Sequence, residues 1–242
     1  MQLSNIIHNY VYKSTLSTIP IETKYVINTI NAYSYCEMLK DVEFEKALIS
    51  SDILLPDGIS MVLAAKLLNK QTIRKIAGAE IHQYLLSQAN AKNQKVFYLG
   101  ASEDTYHLNS NKRYNGIPNI TIASYSPPYK TVFSEEDNTV MLKHINAFQP
   151  DVLFVGMTAP KQEKWVHAHK EQLDANTIVA IGAVFDFYAG TVKRAPQWMI
   201  TAGLEWFYRL VKEPRRMWRR YLIGNTKFCW YVLKEKFQSS KR

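Results

Sequence analysis

Apolar residues along the 242-residue chain fall into two recurring patterns. Short runs rich in β-branched and aromatic residues occur at Tyr25-Val26-Ile27-Asn28-Thr29, Ile53-Leu54-Leu55, Lys95-Val96-Phe97-Tyr98-Leu99, Ile120-Thr121-Ile122-Ala123, Asp151-Val152-Leu153-Phe154-Val155 and Thr177-Ile178-Val179-Ala180-Ile181. Their length and composition predict strands. Between them, apolar positions recur at helical spacing in Met61 to Leu68, Ile81 to Ala91, Glu135 to Phe148 and Lys161 to Leu173, which predicts helices with one apolar face. Three strand runs close on glycine: Leu99-Gly100, Val155-Gly156 and Ile181-Gly182. Strand, glycine turn and helix in alternation predict an α/β fold, a Rossmann-like and mostly parallel sheet with helices on both faces. Ligands of such sheets bind at the carboxyl ends of the strands, so the glycine turns are where a site is expected. No internal repeat or low-complexity linker interrupts the pattern, and Pro127-Pro128-Tyr129 marks a loop.

Composition changes this picture in one place. Hydrophobic residues at 47% and charged residues at 21% suit a globular chain and exclude a disordered tail, a collagen-like fibre and a disulfide-stapled miniprotein. No apolar run approaches the roughly 20 residues that span a bilayer, and Met1-Gln2-Leu3-Ser4-Asn5 lacks the layout of a signal peptide. Cys36 and Cys229 lie far apart in sequence and are expected as free thiols in a reducing compartment. The net charge of +9 is what stands out, and it is localised. From Lys193 to Arg242 there are 13 Lys and Arg against three Asp and Glu, while residues 1–192 hold 17 against 18. The same C-terminal stretch carries Trp198, Trp206, Trp218 and Trp230, four of the five tryptophans. The expectation is a nearly neutral α/β body over 1–192 and a basic, aromatic, helical appendage over 193–242.

Several chemistries are excluded by what the sequence lacks. No two glycines are separated by a single residue, so neither the dinucleotide fingerprint nor, in the absence of its glycine-lysine motif, a P-loop is present. No Asp-x-Asp pair offers a divalent metal to a diphosphate. His167 and His169 are the only close histidines and have no cysteine beside them, so no zinc site is expected. A Gly-x-Ser-x-Gly elbow is also missing.

What remains is a set of polar residues at strand ends. Asp57, between Pro56 and Gly58 and directly after Ile53-Leu54-Leu55, suits a general base held at a cleft; it equally suits a cap on a helix starting near Ile59. Thr29 and Asn31 occupy the equivalent position after another run, fit for a sugar hydroxyl or for a turn. Gly156 to Glu163 reads Gly-Met-Thr-Ala-Pro-Lys-Gln-Glu, a glycine turn entering a helix with Gln162 in its first turn; a helix N-terminus attracts anions, and an ordinary βα loop reads the same way. Asp186, in Phe185-Asp186-Phe187, either faces the cleft or caps a helix.

In the appendage, Pro214 suits the first turn of a helix. At about 100° per residue, Arg215, Arg216, Arg219 and Arg220 share an arc of roughly 140°, and Met217, Trp218, Tyr221 and Leu222 fill the opposite one. A basic helix with an aromatic apolar face suits a membrane interface, where each basic side chain near anionic lipid contributes on the order of 1 kcal/mol. Packing of the aromatic face on the body is the plainer alternative, and nucleic-acid binding is a third, disfavoured by the neutral body and the tryptophans.

Taken together, these segments resemble the WecG/TagA/CpsF family of bacterial glycosyltransferases (glycosyltransferase family 26). The matching blocks are Leu55-Pro56-Asp57-Gly58, Ala64-Ala65-Lys66, Ala77-Gly78, Phe154-Val155-Gly156, Ala159-Pro160-Lys161-Gln162-Glu163-Lys164-Trp165, and Gly182 through Gly190. They continue through Val192-Lys193-Arg194-Ala195-Pro196, Gly203-Leu204-Glu205-Trp206, Tyr208-Arg209-Leu210 and Glu213-Pro214-Arg215-Arg216, so the resemblance runs from about Thr29 to Leu222. It implies a metal-independent inverting enzyme, without a cofactor, that moves a sugar from a UDP-sugar donor onto a polyprenyl-diphosphate-linked acceptor. The acceptor implied is undecaprenyl diphosphate bearing N-acetylglucosamine, and the sugar is of the N-acetylmannosamine type. By motif, Asp57 would be the base. Thr29, Asn31, Lys75, Gln162 and Asp186 would bind substrate, and Arg209, Arg216 and Arg219 would close over the site and neutralise the leaving diphosphate.

An enzyme of this kind would be cytoplasmic and peripheral on the inner face of the bacterial membrane. It would touch anionic lipid through its appendage, bind no nucleic acid, and be compatible with a homo-oligomer. Three departures from the family pattern stand out. Lys75 replaces a usual arginine, a point charge in place of a fork; Gly156-Met157-Thr158 lacks a second glycine, and so does Gly100-Ala101-Ser102-Glu103. The last two narrow the room for backbone approach to a ligand. UDP-glucose and UDP-N-acetylmannosaminuronate therefore stay open as donors, and a non-catalytic nucleotide- or nucleic-acid-binding protein with a basic tail is the alternative from another class.

Overall fold

The computed structural model describes residues 1–19, 24–100, 118–182, 184 and 193–239, with all their side chains except those of Arg216 and Ser239. Asp186 lies outside the described residues. The strands are β1 (Tyr25–Ile30), β2 (Ile53–Pro56), β3 (Lys95–Leu99), β4 (Thr121–Tyr125), β5 (Val152–Val155) and β6 (Thr177–Ala180). They form one sheet in the order β2-β1-β6-β5-β3-β4, parallel at every pairing. Each expected strand is present, with its ends shifted by a residue or two.

Alternation along the strands distributes the apolar side chains to two faces. Ile27, Leu55, Val96, Tyr98, Phe154 and Val179 point to one face, where they meet Ile81 and Leu85 of α5 (Gly78–Ala91). Val26, Phe97, Leu99, Leu153, Val155 and Ile178 point to the other. There they meet Met141 and Ile145 of α6 (Glu135–Phe148) and Trp165 and Val166 of α7 (Lys161–His169). Strands buried on both faces must be continuous apolar runs, which is why they were legible as such. Helix α7 stops at His169, short of the expected Leu173. The imidazole Nδ1 of His169 turns back to the Trp165 carbonyl at 2.8 Å and its ring stacks on that indole.

A third cluster lies at the β2 edge. It joins α1 (Leu3–Asn9), α2 (Ala32–Met38), α3 (Val42–Ile49) and α4 (Ile59–Asn69) to the last helix of the chain. After α8 (Gln197–Thr201) and α9 (Glu205–Lys212), the chain enters α10 (Pro214–Trp218), passes through one π-helical turn at Arg219–Ile223, and continues as α11 (Gly224–Ser239). Helix α11 sends Phe228 and Val232 into this cluster, and Phe228 meets the Tyr35 ring edge-on at 5.8 Å. Burying a Phe or Val side chain stabilises by roughly 1.5–3 kcal/mol. One turn further along, the Glu235 carboxylate accepts from the backbone N–H of Leu3 at 2.9 Å and of Ser4 at 3.0 Å, and also from the Ser4 hydroxyl. The last helix thus caps the first, satisfying donors that an isolated α1 would leave open.

Candidate active site

A cleft of about 330 Å³ opens at the carboxyl ends of β2, β1, β6 and β5 and is roofed by the segment from Arg194 to Asn225. Asp57 stands on its floor. The Asp57 N–H donates to the Ile30 carbonyl at 2.8 Å, continuing the β1–β2 ladder one residue past Pro56 and fixing where the carboxylate emerges. Gly58 at φ +95° then breaks the strand direction, and α4 begins at Ile59 with Gly58 as its N-cap and no side-chain cap. Asp57 therefore does not serve as the cap of α4. Instead, its Oδ2 accepts from Asn31 Nδ2 at 3.4 Å. Asn31 is the residue that caps α2, its Oδ1 accepting from the Ser34 N–H at 3.0 Å. That bond forces the amide nitrogen toward the cleft, so one side chain starts a helix and orients the acid.

Burial in the cleft raises the Asp57 carboxyl above the usual carboxylate range; Lys75, the Asn31 hydrogen bond and Arg220 oppose this, and Glu205 adds to it. A carboxylate held this way is a stronger base than a solvated one. Lys75 lines the cleft and is paired with Glu80 Oε1 at 3.0 Å, while Glu80 Oε2 accepts from the Ala77 N–H at 2.8 Å at the start of α5. The lysine is thereby fixed to the helix entrance as a point charge. Gly78 beside it cannot carry a side chain without crowding, because a Cβ there would lie 3.2 Å from Val184 Cγ2 and 3.3 Å from the Ile181 carbonyl oxygen.

The opposite wall comes from the β5–α7 and β6 turns. Gly100, at φ +102°, packs so tightly that a Cβ would approach the Gly156 carbonyl oxygen to 2.8 Å. This contact brings the ends of β3 and β5 together and answers the missing second glycines with backbone-to-backbone packing. Gln162 Oε1 accepts from the Gly182 N–H at 3.2 Å, which turns its amide nitrogen to Glu163 Oε1 at 2.9 Å. Both side chains are buried, Gln162 at 3% and Glu163 at 2% exposure. Burial pushes the Glu163 carboxyl up to about 7 against the pull of Gln162, its own backbone N–H and Arg220.

The roof supplies cations, arranged differently from the expectation of a single uninterrupted helix. Arg209 on α9 lines the cleft. Arg219 does not; it is exposed, with its guanidinium over the Trp218 ring at 5.2 Å. The π-helical turn changes the phase of the helix at this point and turns Arg220 and Tyr221 into the cleft, Arg220 lying over the Tyr33 ring at 4.9 Å. The Arg216 side chain lies outside those described. Arg194 also lines the cleft, bound to Glu205 through Nε at 3.0 Å and Nη2 at 3.5 Å. Thr29, Asn31, Asp57, Lys75, Gln162 and Arg209 are thus brought together around one cavity.

Glu163, Arg194, Glu205 and Arg220 join them without having been singled out from the sequence. Glu163 is the neighbour of Gln162 in the same helix start, and Glu205 is one of only three acids after residue 192, which are signals that existed. Nothing in the arginine run separated Arg220 from Arg219. Among the described residues no three His, Cys, Asp or Glu side chains cluster as metal ligands, and no helix is long and apolar enough to cross a membrane.

Comparison with known proteins places this cleft in context. A family model described as the glycosyl transferase WecG/TagA/CpsF family matches residues 2–242. A Bacillus subtilis (strain 168) protein named N-acetylglucosaminyldiphosphoundecaprenol N-acetyl-beta-D-mannosaminyltransferase is 38% identical over 210 residues, covering 87% of this chain and 79% of that protein. A protein of the same name from Bacillus spizizenii (strain ATCC 23059 / NRRL B-14472 / W23) is 34% identical, covering 89% and 81%. Another from Staphylococcus aureus (strain MW2) is 32% identical, covering 78% and 71%.

Proposed function

Because the chain belongs to the WecG/TagA/CpsF glycosyltransferase family, we propose that it transfers N-acetylmannosamine from a UDP-linked donor to N-acetylglucosamine on undecaprenyl diphosphate, the reaction in the names of its relatives. The observation that carries this reading is Asp57, a desolvated carboxylate on the floor of a cleft whose roof supplies Arg209 and Arg220.

In this reading the acceptor hydroxyl donates its hydrogen to Asp57. As the hydroxyl oxygen attacks the anomeric carbon, its proton passes to the carboxylate, and the bond from that carbon to the UDP phosphate breaks on the opposite face, inverting the configuration. One base suffices for such a displacement. The departing diphosphate gains charge, and guanidinium groups already in place stabilise it without reorganising at the moment of reaction. Arg209 and Arg220 take that role, with Lys75 as a third, fixed charge, and no metal is called on. Thr29, Asn31 and Gln162 position the sugars, and Asp186 is assigned to the same group on the family motif alone.

The lipid part of the acceptor stays in the bilayer, so the enzyme works at a surface. Trp218, Leu222, Ile223, Trp230, Leu233 and Phe237 are exposed large apolar side chains on the roof and on α11, interleaved with Arg215, Arg219, Lys227, Lys234 and Lys236. Aromatic and basic residues in this mixture suit the interface of an anionic leaflet, which supports a peripheral placement at the membrane and gives the Trp-rich appendage a role.

The test is UDP release from UDP-N-acetylmannosamine with a lipid-linked acceptor in vesicles. Wild type is expected to turn over, and Asp57→Asn, nearly isosteric, is expected to lose about 10²–10⁴-fold in kcat. An unaltered rate in that variant would remove Asp57 as the base, and no release by wild type would remove the reaction.

A further inference from the structure

Glu163 is the least explained group in the cleft. It lines the cavity, only 2% of its surface is exposed, and its Oε2 has no hydrogen-bond partner among the described residues. A buried carboxylate oxygen left open is costly. The other oxygen is committed. Because the Gly182 N–H must face the amide oxygen of Gln162, the amide nitrogen faces Glu163 Oε1, and only Oε2 is left for a ligand.

The place of that oxygen along the substrate follows from the strand ends. Glu163 is tied through Gln162 to Gly182 just past β6, and Asp57 is tied to Asn31 just past the neighbouring β1, so the two carboxylates flank the same region of the cleft. If Asp57 is the base, that region holds the reacting sugar rather than the nucleoside. An open carboxylate oxygen accepts hydrogen bonds, so it matches a sugar hydroxyl or an acetamido N–H. In its ionised form, which prevails above about pH 7, it opposes a sugar carboxylate, because two like charges in a desolvated pocket repel.

Resting on the function proposed above, we infer that Glu163 is a donor-binding and specificity-determining residue, its free oxygen receiving a hydroxyl or amide hydrogen of the transferred sugar and rejecting acidic, uronate-type donors. Gln162 and Glu163 then read the sugar as a unit, Gln162 through the N–H it has left and Glu163 through Oε2.

The experiment measures UDP and UDP-sugar binding by calorimetry, and donor KM and kcat by UDP release, for wild type, Glu163→Gln and Glu163→Asp. Glu163→Gln keeps an oxygen for Gln162 and turns the free oxygen into an amide. KM for UDP-N-acetylmannosamine should rise roughly 10- to 100-fold while kcat changes little and UDP itself binds as in wild type. UDP-N-acetylmannosaminuronate should bind wild type poorly and the Gln variant several-fold better. Glu163→Asp retracts the charge but keeps it, so KM should rise while the uronate stays excluded, and this arm stands if the Gln variant fails to fold. An unchanged donor KM in both variants would overturn the assignment. So would UDP binding weakened as much as donor binding, which would put Glu163 on the nucleoside, or a loss confined to kcat. Wild type that binds UDP but shows these failures would remove this inference alone; wild type that binds neither UDP nor the donor would remove the function on which it rests.

Discussion

The floor and the roof of the cleft are built on different physical terms. On the floor and the wall beside it, Asp57 and Asn31 leave the sheet at positions set by backbone ladders and Gln162 stands in the first turn of α7, with two of these side chains serving twice, since Asn31 also caps a helix and Gln162 also holds the Gly182 amide. On the roof, Arg209, Arg220 and Tyr221 come from short helical pieces joined through a π-helical turn, with Trp218, Leu222 and Ile223 exposed on the outside. A base must be held to fractions of an ångström relative to the atom it deprotonates, and a parallel sheet buried on both faces can do that. Cations that stabilise a leaving diphosphate act over longer distances, so a less regular element can carry them. The difference suggests a division of labour, geometry below and charge above.

The sharpest way to break that comparison is to remove one roof arginine at a time. Arg220→Ala is expected to lower kcat/KM by about 30- to 300-fold, a loss of roughly 2–3 kcal/mol of transition-state stabilisation. Arg219→Ala, adjacent but directed onto Trp218, should cost less than about threefold with a short-chain soluble acceptor. Steady-state UDP release on both variants checks this, and equal losses would mean that the π-helical turn does not separate the two.

The tie between the roof and the body is tested next. Glu235→Ala leaves the N–H groups of Leu3 and Ser4 without their carboxylate and should destabilise by about 2–3 kcal/mol in denaturant unfolding. Glu235→Gln keeps one acceptor and should cost about half as much. Losses within experimental error would mean that α11 is held by its other contacts, Phe228, Tyr231 and Val232 among them, and not by this carboxylate.

The smallest effect concerns the floor itself. Glu163 is raised to about 7 by burial, against an ordinary value of 4.5. Its folded form binds the proton more tightly than the unfolded form does. The associated stability is therefore fully present below about pH 4.5 and is lost as pH rises to about 7 and above, by on the order of 1–3 kcal/mol. Glu163→Gln removes this titration. Its melting temperature relative to wild type should therefore climb between pH 5 and pH 8, and a pH-independent difference would show that the carboxyl titrates alike in the folded and unfolded protein, unraised by burial.

Much of this architecture could be read from the chain. The strands and α6 announced themselves because burial on two faces demands unbroken apolar runs and a 14-residue helix shows several turns of its period. Helices α1, α2 and α3 did not, being seven or eight residues long, too short for a period to register. Asp57, Thr29, Asn31 and Gln162 were legible as candidates because a polar residue at the end of an apolar run is out of place unless something there needs it. Glu163, one residue beyond Gln162, looked like an ordinary first-turn helix acid, and only its burial distinguishes it.

The sequence by itself therefore determined the fold class, the family, the strand ends that bear the polar candidates, and the concentration of charge and tryptophan after residue 192. All of these are properties of pattern and composition along one dimension. Only the tertiary structure decided which arginine enters the cleft, because one π-helical turn rephases the helix between Arg219 and Arg220. It also decided that the basic stretch ends in a helix packed against α1, α2 and α4, since the Glu235 carboxylate and the Leu3 N–H are separated by 232 residues in the chain and by 2.9 Å in space.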